Sequence, residues 1–125
     1  RSLVADAHER FLPLNARFLS AMTRWQTYPI PGDAMAANDH TDFGWDDAVI
    51  NTLTSLGRRM GAVNTELAGV LNRFDGYGSR YETALNRVIR GEHHWADSIT
   101  LDSCHLVWMQ LHEDFIATLG LNRGT

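Results

Sequence analysis

Lysine is absent from this chain, and all eleven basic residues are arginine. Arginine codons are GC-rich and lysine codons are not, so the bias reads as genome composition rather than chemistry. Cysteine is nearly absent too. A lone Cys104 cannot close an internal disulfide, which suits a reducing compartment and makes the cytoplasm the expected location. No apolar run approaches the ~20 residues needed to cross a bilayer, and no signal-peptide pattern opens the chain, so no membrane partner is expected. Excess positive charge is missing as well. A net charge of −4 argues against nucleic-acid binding by this segment alone, because phosphate neutralisation needs clustered cations. There is no GxSxG, P-loop or dinucleotide fingerprint, hence no catalytic assignment and no expected cofactor. The first residue is Arg1 rather than Met, so the expectation is a processed chain or a piece of a longer one.

What is present is an ordinary folding composition, 44% hydrophobic and 21% charged over 125 residues, which allows one domain spanning 1–125 with one core. From about Leu3 to Gln26, Val4, Ala7, Phe11, Leu14, Phe18, Met22 and Trp25 recur at steps of three and four, predicting an amphipathic helix. Pro13 lies inside it and predicts a kink rather than a break, since the rhythm continues on both sides. The rhythm stops from Thr27 to Gly44, where Pro29, Pro31 and Gly32 precede the polar run Asn38-Asp39-His40-Thr41-Asp42. A connection this long is uncommon unless functional or disordered.

A second helix follows, with Val49, Leu53, Leu56, Met60, Val63, Leu67 and Val70 forming a seam of alternating fours and threes. Thr41 or Asp42 is its expected N-cap, and Asp46 and Asp47 in its first turn complement the helix dipole. Ser79 and Glu82 have capping-box spacing for a third helix carrying Tyr81, Leu85 and Val88 and stopping at Gly91. After a short polar link, Glu92 to Thr100, a fourth helix runs from about Asp102 to Gly120. Strand signals are weak. The reading is all-α: a four-helix bundle-like domain with a kinked first helix and a long loop between helices one and two.

The fourth helix places polar groups on its expected inward stripe, Leu101, His105, Trp108, His112, Phe115, Leu119. Two histidines seven residues apart, roughly 10 Å along the axis, are too far apart to meet over one ion in the usual way. The bland reading is a pair of core histidines bonded to neighbouring helices. The sharper one is an elongated pocket beside Trp108, with Asn15 of helix one facing His105 or His112. Trp25 would add apolar wall, and Asn38, Asp39 and His40 would close the pocket as a lid. Arg17 reads as a solvated face, and the row Arg80, Arg87, Arg90 as surface paired with nearby acids. His93 and His94, being adjacent, are weak as joint metal ligands.

The segments FLPLNARFLSAMTRWQ (11–26), NDHTDFGWDDAVINTLTSLG (38–57), RFDGYGSRYETALNRVIRGEHHW (73–95) and DSCHLVWMQLHEDFIATLG (102–120) together resemble the region after the winged-helix module in a group of actinobacterial MarR-like transcriptional regulators. The resemblance implies a C-terminal sensor or dimerisation module, with DNA reached only through a helix-turn-helix part upstream. No DNA-reading helix is recognisable in the chain itself. The leading functional expectation is therefore a regulatory domain that binds a small-molecule effector between its helices, using Asn15, Trp25, Asn38, Asp39, His40, His105, Trp108 and His112. The alternatives are a metal-binding or enzymatic helical domain using His105 and His112, and a purely structural module in which the seam of helix two builds a homodimer.

Overall fold

The computed structural model describes residues 2–120. Arg1, whose standing as a terminus the sequence leaves open, and residues 121–125 lie outside the described residues. The chain forms α1 (Leu3–Gln26), α2 (Phe43–Ala68), α3 (Tyr77–Ile89), a four-residue α4 (His94–Asp97) and α5 (Cys104–Leu119), with a 3-10 turn at Asn72–Phe74. Among the described residues there is no strand, only isolated bridges pairing Thr27 with Ala37 and Ile30 with Asp33 inside the long loop. No described helix is long and apolar enough to cross a membrane.

The four long helices run up, down, up, down. Arg10 near the start of α1 pairs with Glu66 near the end of α2 at 2.7 Å. On the other flank, His8 lies against Phe115 and Phe18 against His105, so α1 and α5 are antiparallel too. Helix α3 packs on α2 and α5, and the short α4 bridges α3, α5 and α1. Every residue of the expected α1 stripe is buried, and α1 passes through Pro13 as one unbroken helix. The α2 seam is buried from Val49 to Leu67, but Val70 falls beyond the helix end and is 63% exposed. At the centre, Trp108 stacks on Phe18 at 4.4 Å between ring centroids, with Phe11 and Tyr81 beside it.

Two helix starts and one stripe differ from the sequence reading. Helix α3 begins at Tyr77, before Ser79, with Gly76 in the left-handed region at φ +91°. The expected Ser79–Glu82 capping box is displaced by a tertiary cap. The buried Asn64 of α2 accepts from Gly78 N–H at 3.0 Å and donates to the Phe74 carbonyl, satisfying a free donor at the helix start from outside the helix. Helix α5 is capped by Ser103, whose Oγ accepts from Leu106 N–H. Its inward stripe is Cys104, Val107, Trp108, Leu111, Phe115 and Ile116, rather than one running through Leu101, His105, His112 and Leu119. This rotation buries more apolar side chain and leaves both histidines half-buried at the edge of the core.

Helices α2 and α3 approach closely because of glycine. A Cβ at Gly57 would sit 2.5 Å from Tyr81 Cε1, and the Tyr81 ring cannot retreat because it is buried and its hydroxyl donates to the Leu53 carbonyl at 2.8 Å. A Cβ at Gly61, one turn on, meets nothing within 4 Å. The two glycines therefore predict opposite outcomes. Gly57→Ala overpacks the contact, costing about 1–3 kcal/mol, and outweighs or cancels the gain of about 1 kcal/mol from replacing a helical glycine. Gly61→Ala keeps that gain, up to about 1 kcal/mol. Urea unfolding of both variants checks this, and equal shifts would show that Tyr81 does not fix the helix spacing.

Candidate metal centre

The long loop is an ordered structure that folds over one end of the bundle. Tyr28 N–H donates to Ala36 O at 2.8 Å, and Asn38 N–H to Gln26 O at 3.0 Å, so the loop doubles back on itself. It ends in Asp42, the N-cap of α2, whose carboxylate accepts from Trp45 N–H and from the Tyr28 hydroxyl. These bonds hold the Asp42 carboxyl below its usual range. The indole of Trp45 donates to the Arg24 carbonyl at 2.7 Å, joining the start of α2 to the end of α1.

Under this loop lies a cluster of His40, Asp46 and His93. Each offers one ligand atom, and the three atoms lie within 4.8 Å of one another. His40 comes from the loop, Asp46 from the first turn of α2, and His93 from the residue that precedes α4. The Asp46 side chain is 7% exposed and that of His40 19%. His40 Nδ1 is 2.8 Å from Asp46 Oδ2. Asn38 fills the remaining positions: its Nδ2 donates to Asp46 Oδ1 at 3.0 Å and to the Trp25 carbonyl at 2.9 Å, while its Oδ1 accepts from His40 N–H at 3.0 Å. His40 adopts φ +61°, the only positive φ outside glycine among the described residues, and this local bond to Asn38 helps hold it there.

The rings of His40 and His93 lie 4.3 Å apart, 31° from parallel. Trp25 walls the site from below, 4.5 Å from the His40 ring and 5.6 Å from that of His93. Its indole N–H donates to the His93 carbonyl at 3.3 Å, which fixes the start of α4. Burial, reinforced by the neighbouring His40 imidazole and opposed by Asp46, lowers the pKa of His93 and favours the neutral, ligating form of its ring.

All the expected site residues but Asp39 thus divide into two groups. Trp25, Asn38 and His40 meet at the loop end of the bundle. Asp39 does not join them: its Oδ1 is taken by Thr41 N–H and the Thr41 hydroxyl, and it faces a separate concavity lined by Tyr28, Ile30, Ala36, Thr41, Asp42 and Phe43. Asn15, His105, Trp108 and His112 lie along the α1–α5 interface. Asn15 Oδ1 accepts from the Trp108 indole at 3.1 Å, so its partner is the tryptophan rather than either histidine. His105 packs on Phe18, and His112 on Phe11 with the His8 ring 6.4 Å away. These four residues line neither that concavity nor the larger groove between α2 and α3. Of the arginine row, Arg80 makes a bidentate pair with Asp102 and also donates to Gln110 Oε1, while Arg87 pairs with Glu92 and covers the Trp95 ring. Arg17 is exposed.

Asp46 and His93 were not among the expected site residues. The signal for Asp46 was present: it lies three residues before Val49 and extends the buried α2 seam by one step. A carboxylate on an apolar seam demands a partner. His93 carried no such signal, because a four-residue helix has no measurable period. No protein family, curated protein or solved structure matches the chain.

At the opposite end of the bundle, the buried His8 has its pKa lowered by burial first and by the charge of His112 second, against an upward pull from Glu9. A histidine with a depressed folded pKa contributes stability above its unfolded value near 6.5, and that contribution is lost as pH falls through the lower folded value. The wild-type chain should therefore lose more stability between about pH 7 and about pH 5 than His8→Leu does. Urea midpoints across that range test this, and parallel curves for the two proteins would refute it.

Proposed function

We propose that this is a metal-binding helical domain, which holds one divalent transition-metal ion of the zinc class through His40, Asp46 and His93. The observation that carries the reading is the convergence of two imidazoles and a buried carboxylate, from three separate segments, with their donor atoms within 4.8 Å. Imidazole nitrogen with one carboxylate oxygen suits zinc, cobalt or nickel. It suits calcium and magnesium poorly, since these prefer all-oxygen shells. Asn38 supports that choice. Its amide occupies Asp46 Oδ1 and leaves Oδ2 as a single donor, which favours an ion of low coordination number. The ion would take the place of the proton between His40 Nδ1 and Asp46 Oδ2. Tetrahedral ligands about 2.0–2.1 Å from zinc stand roughly 3.3 Å apart, so the 2.8 Å contact need widen only slightly. Three protein ligands leave a fourth position open, as in reactive or exchanging sites rather than closed structural ones.

This reading shifts the metal hypothesis from the α5 histidines to the loop end of the bundle. The regulatory role implied by the resemblance to winged-helix regulators fits the site in one form: the effector is the ion itself.

Calorimetric titration of the chain with zinc chloride should give one site. Zinc at about 100 times its dissociation constant should raise stability by about 2.7 kcal/mol in a melting experiment. His40→Ala and His93→Ala should abolish the heat, and Asn38→Ala should weaken binding about 10- to 100-fold by freeing the Asp46 carboxylate. Absence of heat and of a melting shift with zinc, cobalt and nickel alike would overturn the assignment.

A further inference from the structure

The segment 27–42 contributes no buried residue to the bundle; between Trp25 and Asp46 every side chain is half-buried or exposed. Apolar burial therefore does not hold it down. It is attached to the helices by a short set of polar contacts: Thr27 to Thr23 where it leaves α1, Asn38 to Gln26, Trp25 and Asp46, and His40 to Asp46. Most of these converge on the residues of the candidate metal centre. Other bonds, among them Tyr28 to Ala36, Tyr28 to Asp42, Ile30 with Asp33 and Thr41 to Asp39, lie within the segment and do not attach it to any helix.

We infer that the ion works as a clasp: when bound, it locks segment 27–42 onto the bundle end, and its removal releases the segment as a unit. This rests on the metal-binding reading and adds regulation to it. The ligands sit on three pieces of chain, the loop (His40), α2 (Asp46) and the α3–α4 connection (His93). One ion bonded to all three replaces exchangeable hydrogen bonds with coordinate bonds and ties the loop to both helical flanks. His40 holds a left-handed backbone without glycine, a conformation that needs external support, and coordination of its ring supplies it. Two surfaces depend on the clasp. Trp25, 1% exposed, lies beneath the His40 ring and is uncovered when the segment leaves. The concavity lined by Tyr28, Ile30, Ala36, Asp39, Asp42 and Phe43 is built almost wholly from the segment itself and braced by the internal Tyr28–Asp42 bond, so it moves with the segment. The ion thereby controls whether this end of the protein presents a shaped pocket or an open aromatic face.

Amide hydrogen exchange on the intact chain, with zinc and with a chelator, tests the clasp. Local opening is read as exchange faster than that of the core. In chelator, the amides of Tyr28, Ile30, Asp33 and Asn38 should exchange together and well ahead of those of Tyr81 to Val88. Zinc should slow the loop amides by about tenfold or more and leave the α3 amides unchanged. Zinc should produce no slowing in His93→Gln, which removes the ligand beside α4 and leaves the loop's own contacts in place. Calorimetric zinc binding without slowed loop exchange would overturn the clasp and leave the metal centre standing. Loop amides already as protected as α3 in chelator would overturn it as well. No zinc binding at all would remove both readings together.

Discussion

A carboxylate that is 7% exposed needs partners, and Asp46 obtains them from chain that has no other reason to be there. Leaving such a group buried and unpaired costs several kcal/mol, so the bonds from His40 and Asn38 are a condition of α2 beginning where it does. Each partner carries a further link. Asn38 holds the last turn of α1 through the Trp25 carbonyl, and the Trp25 indole holds the residue before α4 through the His93 carbonyl. The end of α1, the loop, the start of α2 and the start of α4 thus form one polar assembly around a single acid. Helix dipole and chemistry agree here, because the N-terminal turn of α2 is where a negative charge interacts favourably with the helix.

The rest of the bundle follows different physics. Its stability resides in the aromatic packing of Phe11, Phe18, Tyr81 and Trp108 and in the close approach of α2 and α3 across Gly57 and Gly78. Several polar groups inside that region are matched locally: Asn15 with Trp108, Asn64 with Phe74 and Gly78, Tyr81 with Leu53. His8 Nε2 and His105 Nδ1, by contrast, are buried there without a hydrogen-bond partner among the described residues. The α1–α5 interface is therefore an aromatic core with half-buried histidines at its edge, whereas the loop end is a polar structure with little core. The candidate chemistry lies where burial is thinnest.

This division also explains what was legible in the sequence. The stripes of α1 and α2 have a sustained period, and nearly every residue they nominate is buried. On α5 too many residues are apolar for the period to fix the rotation, and the stripe through His105 and His112 gave way to one through Cys104, Val107 and Leu111. The α3 start was misread because its cap, Asn64, lies 14 residues upstream, and local spacing holds no record of a tertiary bond. Asn38 and His40 were nominated for a ligand site on polarity and position, and Trp25 as apolar wall. Their assembly with Asp46 and His93 required knowing that a loop of irregular sequence folds back over the ends of three helices. That is a matter of chain closure rather than periodicity.

His40 joins two demands that seldom coincide. Its backbone sits at φ +61°, where glycine is comfortable and asparagine tolerable, while its ring supplies the bond to Asp46. Chemistry and conformation therefore pull this position towards different amino acids. Under selection for folding alone, drift at residue 40 would run to glycine or asparagine, and histidine would persist only where the ring is needed. The identity of that one residue in descendants of this chain is a record of whether the centre has been kept in use.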